Sequence, residues 1–259
     1  MTPPLLRYVD AADRTRIAWQ THLAGGDEEA VGARPLIVLT NGLSTTENFW
    51  DGLIPPLASA YRVVHWSYRG HSKSESARSG DYAITTHADD LARVTEAAIA
   101  RGTNASTPLH VALRAAARVA PRTPGILRRA SSSKAIFPIA RAVGALGPDA
   151  PREPMEHFFR ALGDMDMRAY WASARSLAEA HASDVLPTVN VPVLVIAPAS
   201  DVLASRGDLE ALRDSIPGVS WLEVPNTSHA ILLEAADVVA AAVCEFLAGV
   251  RSHAPRLRP

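Results

Sequence analysis

Three apolar runs decide the fold: residues 35–40 read PLIVLT, residues 61–66 read YRVVHW, and residues 191–197 read VPVLVIA. Continuous apolar runs of this length, rich in β-branched residues, are typical of strands that are covered on both faces. Parallel sheets are buried in this way because helices pack on each side of them. The runs therefore predict three buried strands of a parallel sheet.

Segments with helical periodicity lie between these strands. Thr86 is predicted to cap a helix that ends at Arg101-Gly102, and Ser205 to cap another that ends at Pro217-Gly218. The last helix carries an apolar stripe: Val239, Val243, Phe246, Leu247 and Val250. Strands that alternate with helices predict an α/β fold with a doubly wound, mostly parallel sheet.

The two ends of this pattern complete the predicted domain organisation. Residues 5–9 and 15–20 are strand candidates joined by AADR, which predicts a hairpin. Residues 121–184 are rich in proline and predict helices at 153–162 and 167–181, with Gly163 ending the first. We therefore expect an α/β core formed by residues 1–120 and 185–259, with residues 121–184 inserted as a helical cap.

Composition limits the classes of function. The chain has 259 residues, with 26 Lys and Arg against 27 Asp and Glu, so charge does not favour a nucleic-acid partner. The N-terminal residues interleave apolar side chains with Asp and Arg, which predicts neither a signal peptide nor membrane insertion. Cys244 is the only cysteine, which favours a cytoplasmic location. The partner we expect is a small-molecule substrate or ligand, and composition leaves the oligomeric state open.

Polar residues follow several strands at the point where ligands bind in open α/β sheets. After the first run, Asn41 precedes Gly42, Leu43 and Ser44, where a glycine lets backbone N–H groups turn toward an anionic oxygen. Asp201 follows residues 191–197, and His229 follows the strand candidate 220–224. An acid and a histidine in this order can form the hydrogen bond that fixes the imidazole tautomer. Each also has a local interpretation, with Asp201 as a turn or capping residue and His229 as a helix cap.

These residues resemble the α/β-hydrolase fold superfamily, in particular its esterase, lipase and cofactor-free haloperoxidase-like members. The similarity lies in residues 36–74, in the helix beginning THADDLARV, and in the C-terminal stretch that ends NTSHAILLE. The resemblance implies an oxyanion hole at Gly42, Leu43 and Ser44, a catalytic acid at Asp201, a catalytic base at His229, and a helical lid. It implies hydrolysis of carboxylic esters or related small acyl substrates without a cofactor or metal.

The sequence departs from this family at the nucleophile. The family places a serine in a G-x-S-x-G turn between a strand and a helix, and no serine of this chain has both glycines. The expected position is residues 109–120, LHVALRAAARVA, which contain no Gly, Ser, Cys or Asp. Ser44 is a substitute near the predicted oxyanion hole, whereas Ser72 is interpreted as a loop residue and Cys244 as a packing residue.

Two hypotheses about function follow from the missing turn. The first is a serine-hydrolase-like protein that retains Asp201 and His229 but lacks the serine nucleophile. The second is a catalytically inactive descendant, a pseudoenzyme that binds a small molecule or partner. A truncated gene product that folds poorly is a further alternative, because a sheet core does not readily absorb the loss of a central connection.

Overall fold

The computed structural model describes residues 4–22, 34–100, 133, 135–180 and 182–253. The chain divides into two compact units. The first comprises Met1–Ser133 and Glu156–Ala180, and the second comprises Lys134–Met155 and His181–Pro259. Residues 109–120, the expected position of the nucleophile turn, lie outside the described residues, and the division into core and cap stays a prediction.

The first unit contains a four-stranded mixed sheet in the order β1-β2-β4-β3. Its strands are β1 (Leu5–Asp10), β2 (Arg16–His22), β3 (Leu36–Leu39) and β4 (Arg62–Trp66). The hairpin expected from AADR is confirmed, because β1 pairs antiparallel with β2. β2 also pairs antiparallel with β4, whereas β3 pairs parallel with β4. All five residues of β4 are buried, Arg62 and His65 among them, as expected of a strand that is covered on both faces.

The helices in the described residues occur between and after these strands. They are a 3-10 helix at Glu47–Trp50, α1 (Ile54–Ala58), α2 (Ile84–Ala100), α3 (Ile136–Ala142), α4 (Arg152–Asp164), α5 (Met167–Glu179), a 3-10 helix at Leu186–Thr188, α6 (Arg206–Ser215), α7 (Ile231–Glu234) and α8 (Ala236–His253). None of these helices is long and apolar enough to cross a membrane.

One face of the first sheet packs on α2. Trp19 of β2 pairs with Trp66 of β4, and both indoles are at most 2% exposed. Val94 and Ala98 lie one turn apart on α2 and belong to the same cluster. Since strands expose alternate residues to each face and helices repeat about every 3.6 residues, these periodicities build one continuous core.

The boundaries of two helices differ from the sequence prediction. Helix α2 begins at Ile84 and not at Thr86. The N–H of Ile84 donates to the Ser176 hydroxyl at 2.8 Å, so α5 supplies an oxygen to this end of the helix. Gly163 does not end α4, which continues to Asp164.

The second unit contains two parallel strands, β5 (Leu194–Pro198) and β6 (Ser220–Val224). The predicted cap at Ser205 is confirmed. Its hydroxyl accepts from the Asp208 N–H, while the Asp208 carboxylate accepts from the Ser205 N–H, which is the reciprocal capping box. β5 and β6 end next to each other because they run parallel in register. The loops after them are therefore neighbours.

A close approach to α5 explains Gly70, which lies in the loop after β4. A Cβ at this position would lie 2.3 Å from the Ala169 Cβ, and the Gly70 φ angle is +73°. Gly80 has the same φ angle, but nothing lies within 4 Å of an added Cβ there. The two glycines therefore separate the cost of backbone strain from the cost of a clash.

We expect Gly70→Ala to destabilise the fold more than Gly80→Ala. A left-handed non-glycine residue costs about 1–2 kcal/mol, and overpacking adds about 1–3 kcal/mol. Only G70A meets both costs. Urea unfolding of the two variants measures the difference, and equal losses of unfolding free energy would show that α5 does not approach this loop.

Candidate active site

Asp201 lies in the loop that follows β5, and its two carboxylate oxygens have separate partners. Oδ1 accepts from the N–H of Leu203 at 2.7 Å and from the N–H of Ala204 at 3.2 Å. Oδ2 lies 2.9 Å from His229 Nδ1. The turn interpretation of Asp201 and its predicted contact with His229 are therefore compatible, because each uses a different oxygen.

The ionisation of Asp201 follows from these contacts. Burial would raise the pKa of its carboxyl, but the hydrogen bonds from His229 and from the two N–H groups outweigh burial and lower the pKa. Asp201 is therefore ionised near neutral pH and can only accept hydrogen bonds. Since an ionised carboxylate cannot donate, the neutral imidazole carries its proton on Nδ1 and leaves Nε2 as an acceptor.

His229 lies in the loop after β6, and the backbone of this loop fixes its position. Asn226 has a φ angle of +59°, a left-handed conformation that asparagine tolerates. The Thr227 hydroxyl donates to the Val224 carbonyl at 2.7 Å, and the N–H of Ser200 donates to the Thr227 carbonyl at 3.2 Å. The His229 side chain is 54% exposed, whereas that of Asp201 is 6% exposed. The pair thus combines a buried acid with an accessible imidazole.

Comparison with known proteins decides the family. Residues 37–242 match the model described as "Alpha/beta hydrolase family". This chain belongs to the alpha/beta hydrolase family. The matched residues include Gly42, Asp201 and His229, and the prediction of an α/β-hydrolase fold is confirmed.

Proteins that are similar to this chain include a lactonase. The 3-oxoadipate enol-lactonase 2 of Acinetobacter baylyi is 26% identical over 223 residues, which cover 76% of this chain and 82% of that protein. Proteins named "Probable oxidoreductase EphD" from Mycobacterium bovis and Mycobacterium tuberculosis are 31% identical over 91 residues. That stretch is 35% of this chain and 14% of their length. The match to the crystal structure of the enol-lactonase from Burkholderia xenovorans covers 93% of this chain and 100% of the enol-lactonase chain. Its TM-score is 0.67 and the sequence identity is 19%.

The loop predicted to form the oxyanion hole lies in the first unit, after β3. The N–H of Thr45 donates to the Gly42 carbonyl at 3.2 Å, which closes a turn over Leu43 and Ser44. Ser44 has a φ angle of +65° and is buried. The hydrogen bond of the turn uses the N–H of Thr45, not those of Leu43 and Ser44. Their assignment to an oxyanion hole stays a prediction.

A buried polar cluster beneath this loop was not predicted from the sequence. The Asn41 Oδ1 accepts from Trp50 Nε1 at 2.6 Å and lies 3.2 Å from His65 Nε2. The Tyr68 hydroxyl donates to the Asn41 carbonyl at 2.8 Å. These contacts fix the residue that precedes Gly42. No local pattern in the sequence indicated them, because the donors come from a 3-10 helix, from β4 and from the loop after β4.

The buried histidines of the first unit predict that stability depends on pH. Burial lowers the pKa of His65 to about 4 and that of His87 to about 3. In the unfolded chain these imidazoles have their ordinary pKa of 6.5. As the pH falls, they therefore take up protons in the unfolded chain at a higher pH than in the folded chain. The free energy of unfolding must therefore fall as pH drops below 6.5.

Between pH 7 and pH 5 we expect His65 to account for a loss of about 2 kcal/mol of unfolding free energy. Urea unfolding at the two pH values measures this loss. His65→Gln retains a donor for Asn41 but does not titrate, so its unfolding free energy should depend less on pH. The surface variant His157→Gln is the control and should behave as the parent does. An equal pH dependence in H65Q and the parent would contradict the expectation.

The structure places two of the alternative nucleophiles, while residues 109–120 lie outside the described residues. The Ser72 hydroxyl donates to the Glu47 carboxylate at 2.9 Å, in a loop that is also tied to Glu47 by Lys73. Cys244 lies within α8 and is partly buried. Among the residues that the structure describes, no three His, Cys, Asp or Glu side chains form a group that could hold a metal ion.

Proposed function

We propose that this hydrolase-family chain hydrolyses carboxylic esters or related small acyl substrates, with His229 as general base and Asp201 as the acid that orients it. The hydrogen bond of 2.9 Å between His229 Nδ1 and Asp201 Oδ2 carries the proposal. It leaves Nε2 of an accessible imidazole free to accept a proton. The similarity to proteins named enol-lactonases supports an ester substrate, because a lactone is a cyclic ester.

The absent serine determines the form of the reaction. Since residues 109–120 offer no Ser or Cys, we assign the attack on the acyl carbon to water. Nε2 of His229 takes a proton from this water as its oxygen bonds to carbon, and the carbonyl oxygen becomes negative. The carbon–oxygen bond to the alcohol then breaks, and His229 returns the proton to the alcohol.

This mechanism predicts slow hydrolysis without a covalent intermediate. In serine proteases, catalysis that persists after removal of a triad member is about 10³–10⁴-fold over water. No acyl-enzyme forms when water attacks directly, so product should appear linearly from the first turnover. A serine enzyme with slow deacylation shows a burst instead.

A second candidate function is non-catalytic binding of a small molecule. The composition of residues 109–120 favours it, because a family member without a nucleophile loses its usual covalent route. The family fold can retain a ligand pocket when catalysis is lost. Under this alternative Asp201 and His229 recognise a ligand and do not transfer protons.

Hydrolysis of a short-chain p-nitrophenyl ester and of a small lactone by the full chain tests the proposal. We expect turnover above the buffer rate, lost in Asp201→Asn and retained in Asp214→Asn, which alters an exposed carboxylate of α6. A chain that unfolds cooperatively but shows no turnover would contradict hydrolysis and favour binding. A broad, non-cooperative thermal transition would indicate a damaged product.

A further inference from the structure

The carboxylate of Glu234 makes a dense set of contacts that neither the family match nor the sequence analysis assigns. Glu234 ends α7, and its Oε1 accepts from the Ser228 hydroxyl at 2.7 Å and from the N–H of Gly147 at 2.7 Å. The N–H of Ser228 donates to Oε2. Ser228 is 3% exposed and directly precedes His229. The Glu234 carboxylate thus connects the loop that carries His229 to Gly147, which precedes Glu234 by 87 residues.

We propose that Glu234 is a positioning residue that keeps the His229 imidazole on the Asp201 carboxylate. The proposal rests on the proposed function to the extent that it treats His229 as the base. Its geometric content, the orientation of one imidazole ring, is measurable without any substrate.

The exposure of His229 is the first reason for this assignment. A side chain that is 54% exposed is not held in place by packing around its ring. Its orientation therefore depends on the hydrogen bond to Asp201 and on the backbone that carries it. A small displacement of that backbone would open the contact of 2.9 Å.

The distribution of contacts along the loop is the second reason. Its first half is held through Thr227, whose hydroxyl and carbonyl bond to Val224 and Ser200. Ser228 follows, and both its N–H and its hydroxyl donate to Glu234. Hydrogen bonds to an ionised carboxylate are roughly twice as strong as bonds between neutral groups. Glu234 is therefore the principal support of the residue adjacent to His229.

The chain offers two independent ways to disturb this support without removing the side chain. Glu234→Gln keeps the volume but replaces one accepting oxygen with an NH₂ group, which cannot accept from Gly147 or Ser228. Gly147→Ala keeps the charge, but its Cβ would lie 3.0–3.1 Å from the Glu234 carboxylate atoms and displace them. Glu245→Gln removes an exposed carboxylate of α8 and is the matched control.

The tautomer of His229, read from the ¹⁵N shifts of its imidazole at alkaline pH, tests the proposal directly. The parent should carry its proton on Nδ1, because Asp201 accepts it there. In E234Q and G147A we expect the Nε2–H form, which predominates in free histidine, to become the major species. E245Q should match the parent. Circular dichroism verifies that each variant is folded.

The kinetic consequence provides a second readout. For ester hydrolysis we expect kcat to fall about 10²-fold in E234Q and in G147A, with KM unchanged, as for a misplaced catalytic group. A folded E234Q that keeps the Nδ1–H tautomer would overturn the proposal. If the parent hydrolyses no ester, the proposed function fails, while the tautomer still decides whether Glu234 positions the ring.

Discussion

Substitution of His229 by alanine is expected to lower kcat/KM for ester hydrolysis by about 10²–10⁴-fold, the range that a positioned general base contributes. The loss follows from the absence of any other acceptor for the proton of the attacking water in the proposed reaction. Asp201→Asn should lower the rate for a different reason. An amide can donate to Nδ1 and so favours the tautomer with Nε2 protonated, which cannot accept the proton.

Steady-state kinetics with a p-nitrophenyl ester measure this effect. His157→Gln removes an exposed histidine of α4 and should leave kcat/KM unchanged. A loss in H229A that is no larger than in H157Q would show that the imidazole does not take part. Urea unfolding of H229A verifies that the variant is folded under the assay conditions, so that a change in rate does not reflect unfolding.

Asp90→Asn is expected to reduce the free energy of unfolding by about 3–5 kcal/mol, the usual cost of removing one partner of a buried ion pair. Arg69 Nε lies 2.7 Å from Asp90 Oδ2, and Nη2 lies 2.8 Å from Oδ1, so the contact is bidentate. The two side chains are 2% and 1% exposed. Neutralising Asp90 leaves the guanidinium with Asp13, at 3.2 Å, as its carboxylate partner.

The position of Arg69 explains why the effect should be large. Arg69 follows β4, Asp90 belongs to α2, and Asp13 belongs to the hairpin between β1 and β2. Through its contacts with Asp90 and Asp13, Arg69 therefore connects three parts of the first unit. Asp89→Asn alters the preceding, exposed carboxylate of the same helix and should change the unfolding free energy by less than about 0.5 kcal/mol. Equal effects of D89N and D90N in urea unfolding would contradict this account.

The strands could be predicted from sequence because their signal is local. Residues 36–39 and residues 194–197 are apolar throughout, and short apolar runs of this kind are typical of strands that are covered on both faces. The cap at Ser205 was equally local, since Asp208 lies three residues later. The predicted start of α2 at Thr86 was wrong. The helix begins at Ile84, whose N–H donates to Ser176 of α5, 92 residues further along the chain. No pattern around Thr86 contains that contact.

The candidate site likewise contains one contact that the sequence predicts and others that it does not. The contact between Asp201 and His229 could be predicted because each residue follows a strand, and parallel strands end at the same edge of a sheet. The contact between Glu234 and Gly147, by contrast, joins residues 87 positions apart through a backbone N–H, a group that every residue except proline has. The Asn41 cluster escaped prediction for a similar reason. A buried amide gains its donors from whichever side chains the fold brings to it.

Fluorophosphonate labelling of the full chain, read as intact mass, tests the central claim most directly. The claim is that this chain of the alpha/beta hydrolase family acts through Asp201 and His229 and has no serine nucleophile. We therefore predict ester hydrolysis that depends on His229 together with no stoichiometric adduct. One probe bound per chain on a serine, and lost in H229A, would contradict the claim and reveal a nucleophile opposite the imidazole.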